Sequence, residues 1–142
     1  MTKITPYLLY EDCAAALDWL ERAFGFEEVL RYTGEQGYVN HAEMRLGDAS
    51  ILMGDPGDDY RNPRRLGQET VGIYVEVDDV DAHFERARAV GAEILREPQD
   101  EEYGHRRYDV VDPEGHRWYF ASVLRDVPAE DWGATTPAAA AP

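Results

Sequence analysis

The chain has 142 residues, 44% of them apolar, with a net charge of −15 and one cysteine. That length suits one compact domain or two half-domains sharing a core, and no stretch reaches the roughly 20 apolar residues of a membrane helix. The charge argues against a nucleic-acid backbone or an anionic membrane as partner and would attract cations.

Ile4 to Tyr10 reads as the first strand, with Pro6 tolerated near its start. Asp12 is the expected N-cap of a helix whose Leu17, Leu20 and Phe24 form a buried stripe, and Gly25 ends it. Strands follow at Glu27–Tyr32, Tyr38–Leu46 and Ala49–Met53. The stretch from Gly54 to Gln68 is rich in Gly, Pro, Asp and Arg, has no periodic pattern, and is read as a linker. Its Tyr60, Arg61, Arg64 and Arg65 form a local basic cluster, either closing over a pocket or pairing with acidic neighbours.

A second strand–helix pair begins at Thr70. Val71, Ile73, Val75 and Val77 alternate with Gly72, Tyr74 and Glu76, as in a half-buried strand. Asp78 or Asp79 caps a helix with Val80, Phe84 and Ala87 inward, which Gly91 stops. Ala92–Arg96 is read as a strand and Glu97 to Gly104 as a loop. His105–Val111 and His116–Val123 form a hairpin around Asp112-Pro113-Glu114-Gly115. The tail from Val127 is rich in Pro and Ala. Trp132 is expected to dock locally and Thr135 to Pro142 to be disordered.

The order is β-α-β-β-β, twice. Asp12 and Asp79 lie 67 positions apart and Gly25 and Gly91 lie 66 apart. The expected fold class is α+β, two tandem modules (4–54 and 70–124) joined by the linker 55–69 in one domain over 1–126. Residues 127–142 are a flexible tail. A repeat of this length implies modules that bury a face against each other, with a concave cleft for a ligand.

The doubled module and the run from Asp112 to Phe120 resemble the vicinal oxygen chelate superfamily: glyoxalases, extradiol dioxygenases, fosfomycin-resistance enzymes and bleomycin-resistance proteins. Ala15 to Leu20 and Ala23 to Phe26 are similar to that family's first-helix signature. The resemblance covers about residues 4–123. It implies the fold more firmly than a function, because this fold hosts unrelated chemistries.

The family's enzymes hold a Lewis-acid metal at four strand positions. Counted from the helix caps and the Asp112 turn, these fall at Thr5, Leu52 (with Met53 beside it), Gly72 and Tyr119. None is a His or a carboxylate, and a slip of one residue supplies none. The expectation is therefore no metal and no cofactor. The pattern resembles the bleomycin-resistance branch, which implies an acidic, metal-free homodimer that sequesters a cationic aromatic drug and so confers antibiotic resistance. Tyr7, Tyr38, Tyr74, Tyr108 and Tyr119 fit that picture through stacking or cation–π contact, although each can equally fill a small interior.

Two polar segments remain. In His41-Ala42-Glu43-Met44-Arg45-Leu46, period two puts His41, Glu43 and Arg45 on the side away from the helix. His41 and Glu43 are candidates for metal or general-base work, against a salt-bridged strand face with Glu43 tied to an arginine of the other module. In Tyr103-Gly104-His105-Arg106-Arg107-Tyr108-Asp109, one of Arg106 and Arg107 should face the cavity. His83 is read as exposed and inert, His105 as solvent-exposed and His116 as structural. Cys13 sits at a helix start, which can lower a thiol pKa, but a packed cysteine is the better reading.

The expected function is metal-independent binding of a small organic ligand by a cytoplasmic homodimer. The expected lining is Tyr7, His41, Glu43, Leu52, Tyr74, Glu76, Arg106 and Tyr119. One alternative is a glyoxalase-like lyase or isomerase using His41 and Glu43 with help from His105 or Asp109. Another is a non-catalytic interaction module.

Overall fold

A computed structural model describes residues 1–137. The first module runs β1 (Tyr7–Leu9), α1 (Cys13–Phe24), β2 (Glu27–Thr33), β3 (Val39–Leu46) and β4 (Ala49–Gly54). A short helix α2 (Pro63–Leu66) lies in the linker. The second module runs β5 (Gly72–Glu76), α3 (Val80–Ala89), β6 (Glu93–Asp100), β7 (His105–Val111) and β8 (Arg117–Val123), followed by a 3-10 turn at Ala129–Trp132. Each module forms one four-stranded sheet, in the orders β1-β4-β3-β2 and β5-β8-β7-β6. In both, the first strand pairs parallel with the last and the other pairs are antiparallel.

The capping carboxylates are Asp12, accepting from the Ala15 N–H at 3.0 Å, and Asp79, accepting from the Ala82 N–H at 3.0 Å. Each satisfies a backbone donor that the helix start leaves without a partner. Leu17, Leu20 and Phe24 of α1 and Val80, Phe84 and Ala87 of α3 are buried in one core with Met44, Met53, Tyr108, Trp118 and Phe120. The two helices also pack on each other. Burial of a large apolar side chain stabilises by roughly 1.5–3 kcal/mol, so this shared interior is what joins the modules.

Three expectations from sequence change. The linker is not featureless: the Asn62 side chain accepts from the Arg65 N–H at 2.9 Å, Pro63 opens α2 and Gly67 closes it. Asn, Pro and Gly at those positions are a helix signal in their own right. β6 runs on to Asp100 through two register shifts, between Ile94 and Arg96 and between Arg96 and Gln99. It is an edge strand, where Pro98 removes no ladder bond that matters. β1 is shorter than expected, since Pro6 has no N–H; the Pro6 carbonyl still accepts from Leu52 N–H at 2.9 Å. In the tail, residues 138–142 lie outside the described residues, while 129–132 form the 3-10 turn.

The turn at Asp112 locks the modules together. Asp112 is 1% exposed. One of its oxygens accepts from the Glu114 and His116 N–H groups, each at 3.0 Å. The other accepts from Tyr10 Oη at 2.8 Å and Trp118 Nε1 at 3.2 Å. Glu114 reaches back to the N–H groups of Glu11 and Asp12 at 2.6 and 3.0 Å. The linker arginines serve the same junction: Arg64 Nε donates to the Pro113 carbonyl at 2.8 Å, and Arg65 pairs with Glu11 at 2.7 Å. The reading of that cluster as pairing with acidic neighbours therefore describes Arg65, and also Arg64, whose Nη1 lies 3.5 Å from Glu93 Oε1.

Candidate functional site

With the helices on one side, the other face of each sheet is left uncovered. On the first sheet the cross-strand register sets Tyr7 beside Leu52, Leu52 beside Glu43, and Glu43 beside Leu30. His41 lies next along β3, and its Nδ1 is 2.9 Å from Tyr7 Oη. Four expected residues, Tyr7, His41, Glu43 and Leu52, thus share one patch. Tyr7 is 49% exposed and Tyr32, beside His41, is 63% exposed. No ion pair joins Glu43 to an arginine among the described residues.

The second sheet repeats this plan and elaborates it. Tyr74 lies beside Tyr119, Tyr119 beside Asp109, and Glu76 beside Ala121, which pairs with Arg107. Tyr7 and Tyr74 are 67 positions apart, as are Leu52 and Tyr119. The inward arginine is Arg107, not Arg106. Arg106 lies on the helix side, its Nε 3.0 Å from Asp81 Oδ1 on α3 and its Nη1 2.9 Å from Asp100 Oδ1. The strand phase carried the signal: Arg106 shares a side with Tyr108 and Val110, both buried in the core.

Arg107 is held tightly. Its Nε donates to Asp109 at 2.9 Å, and its guanidinium carbon sits 5.1 Å from the centre of the Tyr119 ring. Nη1 donates to Tyr103 Oη at 3.1 Å. Tyr103 Oη is 3.0 Å from Tyr74 Oη, which is 2.7 Å from His105 Nδ1. Arg107 can only donate, so Tyr103 Oη accepts from it, and the Tyr103, Tyr74 and His105 polar atoms form one connected chain. Burial, then the bond to Tyr103, pushes the Tyr74 hydroxyl above the usual phenol range. His105 is therefore a half-buried member of the cluster and not a solvent-exposed histidine. Tyr103, His105, Arg107 and Asp109 are the members that the expected lining lacked.

Other expected aromatics sit elsewhere. Tyr108 is fully buried beneath α3, and Tyr38 donates to Asp58 at 2.8 Å in a loop. His83 is neither exposed nor idle. Its Nε2 donates to the Phe24 carbonyl at 2.9 Å, and its Nδ1 accepts from Tyr108 Oη at 2.6 Å. Burial first, then the nearby Arg86, outweighs the carbonyl bond and lowers its pKa to about 4. His116 Nε2 donates to the Leu9 carbonyl at 2.8 Å, a structural contact between modules. Cys13 is buried and its thiol is pushed up to about 12 by that burial, which makes it a packing residue.

The donor set does not fit a divalent metal at the family's positions. In the second module the Tyr119 ring fills the space: a Cβ placed on Gly72 would lie 2.4 Å from Tyr119 Cε2. In the first, Leu52 packs beside Tyr7. Among the described residues, no three His, Cys, Asp or Glu side chains are grouped to hold a metal ion. Among the described residues, no hydrogen bond, ion pair or ring contact links His41 or Glu43 to His105 or Asp109. Between the edge strands β1 and β5 the linker closes a cleft of about 360 Å³, lined by Tyr7, Leu9, Tyr60, Leu66, Val71 and His116.

Comparison with known proteins supports the fold. Uncharacterized proteins of Mycobacterium bovis and Mycobacterium tuberculosis are 33% identical over 129 residues, covering 87% of this chain and 85% and 76% of theirs. The crystal structure of TioX from Micromonospora sp. ML1 is 36% identical with a TM-score of 0.71, covering 87% of this chain and all of that one. A bleomycin resistance determinant encoded on the transposon Tn5 shares the fold at 20% identity and a TM-score of 0.67, covering 88% of this chain and 100% of that one. A family model matches residues 4–120, and the chain belongs to the glyoxalase/bleomycin resistance protein/dioxygenase superfamily.

Proposed function

We propose that this protein binds a small, planar, cationic or aromatic organic molecule without a metal, on the uncovered sheet faces, and that it works as a cytoplasmic homodimer. The observation that carries this reading is the ring cluster of the second module. Tyr119, Tyr74, His105 and Tyr103 follow one another with centroids 5.0–6.1 Å apart, and hydrogen bonds fix the hydroxyls of Tyr74 and Tyr103. Rings held in place lose little freedom when a flat ligand stacks on them, and each cation–π contact adds about 0.5–2 kcal/mol. A net charge of −15 raises the local concentration of cations.

Pairing of two copies is supported by apolar exposure. Tyr7, Leu30, Tyr32 and Val123 are 49, 47, 63 and 55% exposed on uncovered strands, apolar surface of the kind a second copy covers. The likeness to the Tn5 determinant carries the fold alone, so sequestration of an antibiotic-like compound rests on the rings and the charge.

A thermal-shift screen tests the reading, with planar organic cations in chelator-treated buffer beside α-keto thioesters and hemithioacetals with added divalent metal. Saturating planar cation should raise the melting temperature by about 5 °C. No shift with any compound would count against binding. A shift that needs metal, and that His41→Ala abolishes, would instead favour the lyase or isomerase chemistry.

A further inference from the structure

The ring series of the second module does not stop at Tyr103. Leu124 and Arg125 donate their N–H groups to the Gly104 carbonyl at 2.8 and 3.2 Å, so the chain leaving β8 is tied to the β6–β7 turn. Only glycine serves there: φ is +96°, and a Cβ would lie 2.3 Å from the Arg125 carbonyl oxygen and 2.9 Å from Val127 Cγ2. The following 3-10 turn sets the Trp132 ring edge-on to Tyr103, with centroids 6.0 Å apart. Trp132 stays 40% exposed, so a substantial part of its surface is still free.

Charge changes along the series. At the inner end the Arg107 guanidinium already covers a face of Tyr119, which disfavours a second cation there. At the outer end a cleft of about 500 Å³ is lined by Trp132, Glu102, Asp126 and Asp131, with Arg125 as the opposing charge. A cationic ring is therefore repelled at Tyr119 and attracted at Trp132, by the indole quadrupole and by the carboxylates together.

We propose that Trp132 is a specificity-determining residue of the ligand site, and that the tail places it to receive the cationic end of an extended planar ligand whose body lies on Tyr74 and Tyr103. This rests on the binding function proposed above and adds the ligand's direction and charge.

The test compares N-methylacridinium with acridine above its own pKa, which has the same shape without the charge, by fluorescence titration of wild type, Trp132→Ala, Trp132→Phe and Tyr74→Ala. Trp132 lies outside the core, so its variants keep the fold. The expected result is a loss of about fivefold in affinity for the cation in Trp132→Ala, with acridine little changed, largely restored in Trp132→Phe. Tyr74→Ala should weaken both ligands. Equal losses for both ligands in Trp132→Ala, or no loss for either, would overturn the role of Trp132 while leaving the binding function standing if Tyr74→Ala still weakens both. Failure of wild type to bind either ligand would overturn both.

Discussion

The junction between the modules and their uncovered faces are built from the same residue types and put them to opposite uses. At the junction Tyr10, Tyr108, His83, Asp112 and Trp118 are buried or nearly so, and their polar atoms meet protein partners. On the faces Tyr7, Tyr74 and His41 are half-exposed, with ring surface turned to solvent. A tyrosine whose ring is enclosed is architecture, whereas one whose hydroxyl is fixed and whose ring stays open is equipped to stack on something else.

Removal of a junction acceptor should do the most damage. Asp112→Ala strips Tyr10 and Trp118 of their partner in a closed interior, at about 1–3 kcal/mol for each orphaned donor. Urea unfolding should show a loss of about 3 kcal/mol or more. An effect below about 1 kcal/mol would erase the distinction between the two regions.

His83 sharpens the comparison through pH. Its folded pKa of about 4 lies below the unfolded 6.5, so the unfolded chain binds the extra proton between those values. Its contribution is fully present above about pH 6.5 and is lost as pH falls toward 4, to a limit of about 3 kcal/mol. His83→Gln should be less stable at neutral pH and should show a flatter fall in stability across that window. An unchanged slope would mean that the histidine carries no such linkage.

The smallest stability effect is expected on the open face. Glu43→Gln removes a charge that has no ion-pair partner among the described residues, so unfolding free energy should change by less than about 0.5 kcal/mol. A loss of several kcal/mol would show that Glu43 belongs to the framework and not to the ligand face.

The same contrast explains what the sequence disclosed. Helix caps at Asp12 and Asp79, the two buried stripes and the 67-residue repeat are local or periodic signals, and the fold followed from them. Alternation on β3 likewise placed His41 and Glu43 together. Arg106 was misplaced because alternation sorts side chains into two sets without saying which set the helix covers; Val110 and Tyr108 in phase with it held the answer. Tyr7 and Tyr108 look alike in sequence, and only the packing of α3 over Tyr108 separates them. Tyr103 falls in a loop and His105 at a strand start with no partner evident in the sequence, and their bonds to Tyr74 span about thirty positions, beyond any local pattern.

The central claim is ligand binding by ring stacking without a metal. Isothermal titration of a planar organic cation into chelator-treated protein, wild type against Tyr74→Ala, tests it most directly. The account predicts saturable binding that added divalent metal leaves unchanged and that Tyr74→Ala weakens by about tenfold, with unfolding free energy preserved to within about 1 kcal/mol. Binding that appears only when metal is supplied, or that is indifferent to the loss of Tyr74, would contradict it.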